Sequence, residues 1–380
     1  MHACTNRAKV ARLKVSLVFT RYRPPHFRGG IERYTDEVGR RLLARGIDCE
    51  VVAFEEDLPS EARVPARYVP VLRKLPYAPV LSFAARTAGF WRDRDRVIVQ
   101  YGQLGLSVPS RCLYCIVQTT CRGEGKAAGA ENARERLQRL GDKTLGALFE
   151  TLTFRRARAL IAIGDHIRDE LVHDYGILPS KISVIGNGVD CNAFAPPAAG
   201  RDRAAHGLKL LYVGRLVARK NVAAVISALA ACDESVTCTI VGEGSERGSL
   251  EQLAASLGVS ARIDFAGFRT KEALRSAYTA ADALVMPSRY EGMPMVILEA
   301  KASGLPTIAA DFRGARELIP EGTGLVLDDS TPMGFAAAFD ALVRDRARLA
   351  VMWDGARHDA VQRFDWERIV DALCTRLALT

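Results

Sequence analysis

The chain has 380 residues, 48% of them apolar and 26% charged, with 31 Gly and 16 Pro. This balance excludes a disordered chain, a collagen-like repeat and a small disulfide-rich scaffold, and the length predicts two domains. The formal charge of +9 is uneven, with 31 Lys and Arg against 21 Asp and Glu in residues 1–200, and 22 against 23 in residues 201–380. The basic half predicts an anionic partner or surface, with ordinary solvated arginines as the alternative.

Short apolar, β-branched runs alternate with helical patterns along the first half. Helices are predicted over Ile31–Ala44 and Asp165–Tyr175. The predicted strands are Lys14–Thr20, Cys49–Phe54, Arg96–Gln100, Leu113–Thr119, Ala159–Ile163 and Ile182–Ile185. Cys112 and Cys115 fall in a strand-like run, which disfavours a redox or zinc site, so free thiols are expected.

The strand and helix pattern restarts after an aperiodic, proline-rich linker, Phe194–Gly200. The predicted strands of the second half are Leu208–Val213, Cys238–Val241, Ile263–Ala266, Ala283–Met286, Thr307–Ala310 and Gly324–Leu327. Alternating strands and helices predict an α/β fold of two Rossmann-like, doubly wound domains facing a central cleft. We place these domains at residues 1–198 and 199–358, with a C-terminal helix in residues 359–380 that can pack back on the first domain.

The apolar run at the N-terminus, Val15–Phe19, is too short for a secretion signal. No run approaches the roughly 18 apolar residues of a membrane span. A cytoplasmic protein is therefore expected. Arg-rich amphipathic stretches at Val71–Trp91 and Arg134–Phe154 also suit a peripheral position at the anionic inner face of a membrane.

The strand Ala283–Met286 leads into a loop and a helix that carry two carboxylates, Glu291 and Glu299. Pro294 suits the first helical position, and the free N–H groups of Gly292, Met293 and Met295 around the helix N-terminus favour an anion. We expect both carboxylates to face one cleft and to accept hydrogen bonds from ligand hydroxyls. A capping glutamate and a surface glutamate are the alternative.

Other glycine turns and cations follow predicted strands. Arg215 and Lys220 come after Leu208–Val213, and an Arg fork with a Lys point charge suits a diphosphate. The pair Gly29-Gly30 precedes the first helix, where a backbone without side chains lets a ligand approach closely. The segment Gly242-Glu-Gly244 nearly matches a dinucleotide fingerprint, which is weak evidence for a nicotinamide site.

Taken in chain order, these motifs resemble those of one enzyme family. The motifs are Gly29-Gly30, Asn187-Gly-Val-Asp190, Gly214-Arg215-Leu216 with Lys220-Asn221, Val241–Gly244, Glu291-x7-Glu299, Gly304-Leu305-Pro306 and Gly314-Ala-Arg-Glu317. Nearly the whole chain resembles a retaining glycosyltransferase of the GT-B fold, in glycosyltransferase family four (glycosyl transferases group 1). The resemblance implies that the C-terminal domain binds a nucleotide-sugar such as a UDP-sugar, and that the N-terminal domain binds the acceptor.

The resemblance also assigns roles to residues. Those it implies for catalysis are Glu291, Arg215 and Lys220. Those it implies for donor binding are Gly29, Gly30, Gly214, Gly242, Gly244, Gly292, Met293, Pro294, Met295 and Glu299. The two cations would bind the diphosphate, and Glu299 would bind the ribose hydroxyls.

One departure from the family pattern concerns a histidine that often stands near the donor sugar. Gln118 occupies one of the two matching strand ends, and it can exchange hydrogen bonds but cannot titrate. Gln118 and Asn187 are candidates for contact with the donor sugar. No metal and no other cofactor are expected.

The leading hypothesis is transfer of a hexose, with retention of configuration, from a nucleoside-diphosphate-sugar to a hydroxyl. The acceptor is a sugar, a lipid-linked molecule or a small molecule, and nucleic acid is not an expected partner. Assembly of cell-surface polysaccharide or lipopolysaccharide is the favoured setting, with natural-product glycosylation as the alternative. A nicotinamide-dependent oxidoreductase and a non-catalytic basic binding module are more distant alternatives.

Overall fold

The structure, a computed structural model, describes residues 13–20, 22, 30–55, 63–72, 77–92, 95–100, 102–122, 145–198, 200 and 207–379. These residues form two entirely parallel sheets, of seven and six strands, with helices between the strands. The predicted α/β fold of two doubly wound domains is confirmed. The strands of each sheet are nearly continuous apolar runs because helices cover both faces of the sheet.

The first sheet has the spatial order β3-β2-β1-β4-β5-β6-β7, and the second has β10-β9-β8-β11-β12-β13. The strands of the first are β1 Lys14–Val18, β2 Asp48–Phe54, β3 Ala66–Val69, β4 Arg96–Val99, β5 Leu113–Val117, β6 Ala159–Ala162 and β7 Ile182–Val184. Those of the second are β8 Leu208–Val213, β9 Val236–Val241, β10 Ile263–Gly267, β11 Ala283–Met286, β12 Thr307–Ala310 and β13 Gly324–Leu327. Strand order reverses between β1 and β4 and between β8 and β11, and ligands bind at such switch points.

Twelve helices are described. They are α1 Gly30–Ala44, α2 Ala78–Thr87, α3 Ala147–Arg156, α4 Asp165–His173, α5 Val222–Leu229, α6 Arg247–Ser256, α7 Lys271–Ala280, α8 Met295–Ala302, α9 Ala315–Leu318, α10 Pro332–Arg344, α11 Arg346–Asp359 and α12 Trp366–Leu377. Single turns of 3₁₀ helix cover Pro179–Lys181, Ala218–Lys220 and Ser260–Arg262, a longer one covers Gly102–Ser107, and a π-helical turn covers Ala360–Phe364.

Strand β3 is absent from the sequence-based prediction. It is a four-residue strand at the edge of the first sheet, and Val69 is its only fully buried side chain. Edge strands bury one side of a short run, so their apolar periodicity is too weak to detect.

The last helix of the chain, α12, packs on the first domain. Trp366 is 2% exposed, and its ring lies at a tilt with its centroid 5.5 Å from that of the Tyr34 ring of α1. Arg45, directly after α1, forms an ion pair with Glu367 of α12 at 2.6 Å. A Cβ on Gly188 would overlap the Trp366 ring, so only glycine allows this contact. The chain therefore crosses back after the second domain and ties the two together.

None of the described helices has the length and apolar character needed to cross a bilayer. Within the described part of the chain the cysteines are free, and Cys112 and Cys115 are buried. The same residues contain no cluster of three or more His, Cys, Asp or Glu side chains suited to a metal ion.

Replacing Trp366 by alanine should lower the free energy of unfolding by about 3–5 kcal/mol, since it removes a buried indole from the packed core. The measurement is urea unfolding followed by circular dichroism, with Val351→Ala, at an exposed position of α11, as the control. A loss for Trp366→Ala no larger than that of the control would contradict the packing of α12.

Candidate active site

The loop after β11 stands at the centre of the cleft and is called the donor loop, residues 287–294. Helix α8 begins at Met295, and Pro294 occupies the capping position with φ −69° and ψ 119°. The helix thus starts one residue later than the sequence pattern predicts, because Pro294 stays extended. The N-terminus of α8 still points into the cleft at the carboxyl end of β11.

Lys220 and Glu291 form an ion pair that is largely hidden from solvent. The side chain of Lys220 is 12% exposed and that of Glu291 is 9% exposed. Lys220 ends the 3₁₀ turn after β8, and the left-handed φ of 53° at Asn221 then directs the chain into α5. Burial holds the pKa of Lys220 below its usual value, although the Glu291 carboxylate opposes this shift. Two residues predicted to bind different parts of the donor are thus in direct contact.

Glu299 is 2% exposed and has a partner for each carboxylate oxygen. Tyr278 donates its hydroxyl to Oε2 at 2.9 Å, and Arg33 donates from Nη1 to Oε1 at 2.6 Å. Burial raises the pKa of Glu299, and the charge of Arg33 and the Tyr278 hydrogen bond oppose the rise. Arg33 belongs to α1 of the first domain, so this pair spans the cleft.

The first domain encloses the donor loop from several sides. A Cβ on Gly30 would lie 3.3 Å from Cγ of Met295, and one on Gly292 would lie 3.1 Å from the carbonyl oxygen of Gln118. Asn187 donates from Nδ2 to the carbonyl oxygen of Met293 at 3.3 Å. Gly30 and Gly292 therefore allow the two domains to approach closely; Gly29 lies outside the described residues.

Two buried polar atoms beside the donor loop have no hydrogen-bond partner among the described residues. They are Nε2 of Gln118 and Oδ1 of Asn187. Both side chains are more than nine-tenths buried, and leaving a buried polar atom unpaired costs about 1–3 kcal/mol. Hydroxyl groups of a bound sugar could satisfy both atoms, since one is a donor and the other an acceptor.

The predicted glycines of the β8 and β9 loops pack these loops against each other. Gly242 has a φ of +143°, and a Cβ there would overlap the carbonyl oxygen of Gly214. A Cβ on Gly244 would overlap the carbonyl oxygen of Leu216. Loop packing thus accounts for the near-match to a dinucleotide fingerprint. Arg215, beside them, is exposed, and its guanidinium forms no hydrogen bond or ion pair with the described residues.

Sequence reasoning missed Arg33 and Tyr278, the two partners of Glu299. Both lie on amphipathic helices, α1 and α7, where an Arg beside the apolar stripe and a Tyr within it are ordinary. The signal that could have found Arg33 is its position one turn after Gly30, at the cleft end of α1. No spacing within the sequence indicates that it meets Glu299, 266 residues later.

Comparison with known proteins identifies the family. The family model described as Glycosyl transferases group 1 matches residues 202–359, and the one described as Glycosyltransferase Family 4 matches residues 28–193. A D-inositol 3-phosphate glycosyltransferase of Geodermatophilus obscurus is 30% identical, over 91% of this chain and 83% of the relative. The chain belongs to glycosyltransferase family 4. The resemblance predicted from the ordered motifs is confirmed.

Solved structures share the fold of this glycosyltransferase. Anabaena Alr3699/HepE in complex with UDP and glucose superposes with a TM-score of 0.74 at 20% identity, over 97% of this chain and all of the other. WaaG, a glycosyltransferase involved in lipopolysaccharide biosynthesis, superposes with a TM-score of 0.69 at 20% identity, over 94% and 99% of the two chains. Both are GT-B glycosyltransferases, which confirms the predicted GT-B architecture.

Replacing Lys220 by methionine should cost about 3 kcal/mol of folding free energy, since it leaves the Glu291 carboxylate buried without its partner. Glu291→Gln in the same chain should recover part of the loss, because the uncompensated charge is then removed. A double-mutant cycle by urea unfolding measures the coupling. Additive losses would contradict the ion pair.

Proposed function

We propose that this glycosyltransferase transfers a sugar, with retention of configuration and without a metal ion, from a nucleoside-diphosphate-sugar to a hydroxyl group. The observation that carries the proposal is the meeting of Lys220, Glu291 and Glu299 in one cleft. They lie where the sheet of the C-terminal domain reverses its strand order. UDP is the proposed nucleotide, since it is bound in the related Anabaena structure.

The proposed donor site divides into three parts. Arg215 and Lys220, with the N–H groups that begin α8, bind the diphosphate, because both features favour negative charge. Glu299 accepts hydrogen bonds from the ribose hydroxyls. Glu291 holds the transferred sugar, whose other hydroxyls reach the unpaired atoms of Gln118 and Asn187.

The proposed reaction breaks the bond between the anomeric carbon and the diphosphate oxygen, and that oxygen leaves with the electron pair. The acceptor hydroxyl forms the new bond on the same face of the sugar, and its proton passes to the departing diphosphate. The charge that develops is stabilised by Arg215, Lys220 and the α8 N-terminus. A preorganised donor of this kind is commonly worth about 3–4 kcal/mol. In this scheme Glu291, ion-paired with Lys220, orients the sugar and is not the nucleophile.

The proposed acceptor is phosphorylated or lipid-linked and is met at an anionic membrane face, in cell-surface polysaccharide or lipopolysaccharide assembly. The excess positive charge of the chain lies in the first half, the proposed acceptor side. Leu148 and Leu152 on α3 are exposed on one helix face and are followed by exposed Arg155 and Arg156. An apolar stripe bordered by arginines suits an anionic bilayer surface. Most of the basic stretch 134–154 lies outside the described residues.

A thermal-shift panel of UDP, GDP, ADP and NADH tests the proposed donor site. A nucleoside diphosphate at about a hundred times its dissociation constant should add about 2.7 kcal/mol of stability. Arg215→Met should abolish the shift, whereas Arg316→Met, which removes an arginine paired with Asp311 and Asp328, should keep it. Absence of a shift with every nucleoside diphosphate would refute the proposal.

Arg33→Met should tighten nucleoside diphosphate binding about tenfold, because the ribose hydroxyls would no longer compete with Arg33 for Glu299. Isothermal titration with UDP measures the change. Arg40→Met, on the same helix but paired with Glu37, is the matched control. Weaker binding by Arg33→Met would show that Arg33 holds the nucleotide directly, contrary to this prediction.

A further inference from the structure

One motif of the sequence has no part in the proposed donor chemistry, the segment Gly314-Ala-Arg-Glu317. It lies in residues 311–318 of the C-terminal domain, called the clasp segment, which contacts α4 of the first domain. Gly314 has a φ of +86°, and a Cβ there would lie 2.6 Å from Nδ1 of His166. Glycine is therefore required both by the backbone conformation and by the close approach of the two domains.

Glu317 caps helix α4 across the domain boundary. The helix has Gly164 at its capping position and no side-chain cap of its own. The backbone N–H of Asp165 donates to both carboxylate oxygens of Glu317, at 2.8 and 2.9 Å, and Nδ1 of His166 lies 3.2 Å from Oε2. A carboxylate at a helix N-terminus satisfies free N–H groups and complements the helix dipole. The second domain thus supplies the cap that the first lacks.

Arg313 holds the same helix one turn further along. Its Nη1 is ion-paired with Glu170, and its Nη2 donates to the carbonyl oxygen of His166 at 3.2 Å. Glu170 is 3% exposed, and its other oxygen accepts the hydroxyl of Thr120 at 2.7 Å. A continuous chain of polar contacts therefore connects the clasp segment with the residues that follow β5.

Those residues form the wall of the donor site. Gln118 and Thr119 precede Thr120 and face the donor loop, since a Cβ on Gly292 would lie 3.1 Å from the Gln118 carbonyl oxygen and 3.4 Å from Cγ2 of Thr119. The buried Nε2 of Gln118 is the unpaired donor described above. The backbone of Gln118 therefore contacts the donor loop at Gly292, and two residues later the chain is held by the hydrogen bond of Thr120 to Glu170.

We propose that Arg313 and Glu317 are positioning residues that lock the end of β5 against the donor loop through α4, Glu170 and Thr120. They touch no part of the proposed donor site themselves. The effect on sugar transfer rests on the proposed function, whereas the contacts that link the two domains are independent of it. Nucleotide binding uses the C-terminal domain and is independent of the clasp, while the transfer step depends on it.

The test compares Arg313→Met with Arg316→Met. Both arginines lie in the clasp segment and are partly exposed, but Arg316 pairs with Asp311 and Asp328 of its own domain. Amide hydrogen exchange of the free protein should rise about tenfold or more in residues 118–122 and 165–168 of Arg313→Met and stay unchanged in Arg316→Met. In Arg313→Lys, which keeps the ion pair with Glu170, the exchange rate should lie between those of Arg313→Met and Arg316→Met.

A second measurement separates positioning from general loss of structure. With UDP and UDP-glucose as probes, Arg313→Met should bind UDP within about twofold of the parent protein but hydrolyse UDP-glucose about ten- to a hundredfold more slowly. A displacement of about 1 Å at a reacting centre can cost a hundredfold. Glu317→Gln should likewise keep its UDP affinity and hydrolyse UDP-glucose more slowly. Its control is Glu321→Gln, on the exposed surface after α9.

Equal exchange in Arg313→Met and Arg316→Met would overturn the proposed link, whatever nucleotide the enzyme uses. UDP affinity that falls as far as turnover would overturn the positioning role, because the clasp would then serve donor binding. If neither UDP nor any other nucleotide binds the parent protein, the proposed function fails, and the exchange measurement still decides on the clasp.

Discussion

The Glu299 carboxylate is buried, and the cation that neutralises it comes from the other domain. An isolated carboxylate in such a position would be costly, so the ion pair with Glu299 keeps Arg33 of α1 close to α8. This single pair sets the distance between the first helix of one domain and the donor-side helix of the other. Gly30 and Gly292 suit this close approach, because a Cβ at either position would lie only 3.3 or 3.1 Å from the other domain.

A second buried carboxylate, Glu291, is likewise neutralised by a cation, Lys220, which belongs to the same C-terminal domain. Each pair joins a carboxylate suited to sugar or ribose hydroxyls with a cation. In the proposed complex the diphosphate binds the Lys220 ammonium in place of Glu291, and the ribose hydroxyls bind the Glu299 carboxylate in place of Arg33. Both carboxylates are thus paired with residues of the chain itself, whereas Nε2 of Gln118 and Oδ1 of Asn187 have no partner among the described residues. In the proposed complex the donor replaces the first contacts and supplies the missing ones. Hydrogen bonds from the hydroxyls then satisfy the carboxylate oxygens in place of the ion pairs.

The clasp segment is another contact between the domains, and it differs from the Arg33–Glu299 pair in lying away from the proposed donor site. Arg313 and Glu317 hold α4 by one ion pair and one helix cap. Helix α12 adds a further contact with the first domain, through Trp366 and the Gly188 backbone. The two domains are therefore held together at several separate places, each of which a single substitution can disrupt.

The strands of both sheets could be predicted because they are buried on both faces and bounded by turns. Twelve of the thirteen strands in the described residues lie where the pattern placed them. The missed one, β3, is a short edge strand. The residues of the donor loop could also be predicted, since Glu291, Pro294 and Glu299 lie within one strand-turn-helix unit. Arg33 and Tyr278 could not, because their importance depends on facing Glu299 and not on any pattern around them.

The sequence by itself determined the two parallel sheets, the family and the local shape of each glycine turn, since these depend on periodicity and backbone conformation over short distances. Only the tertiary structure decided which charges pair. Lys220 lies 71 residues from Glu291, Arg33 lies 266 from Glu299, and Arg313 lies 143 from Glu170. A buried charge pairs with the opposite charge that the fold brings within hydrogen-bond distance. The sequence around either residue does not indicate which partner that is.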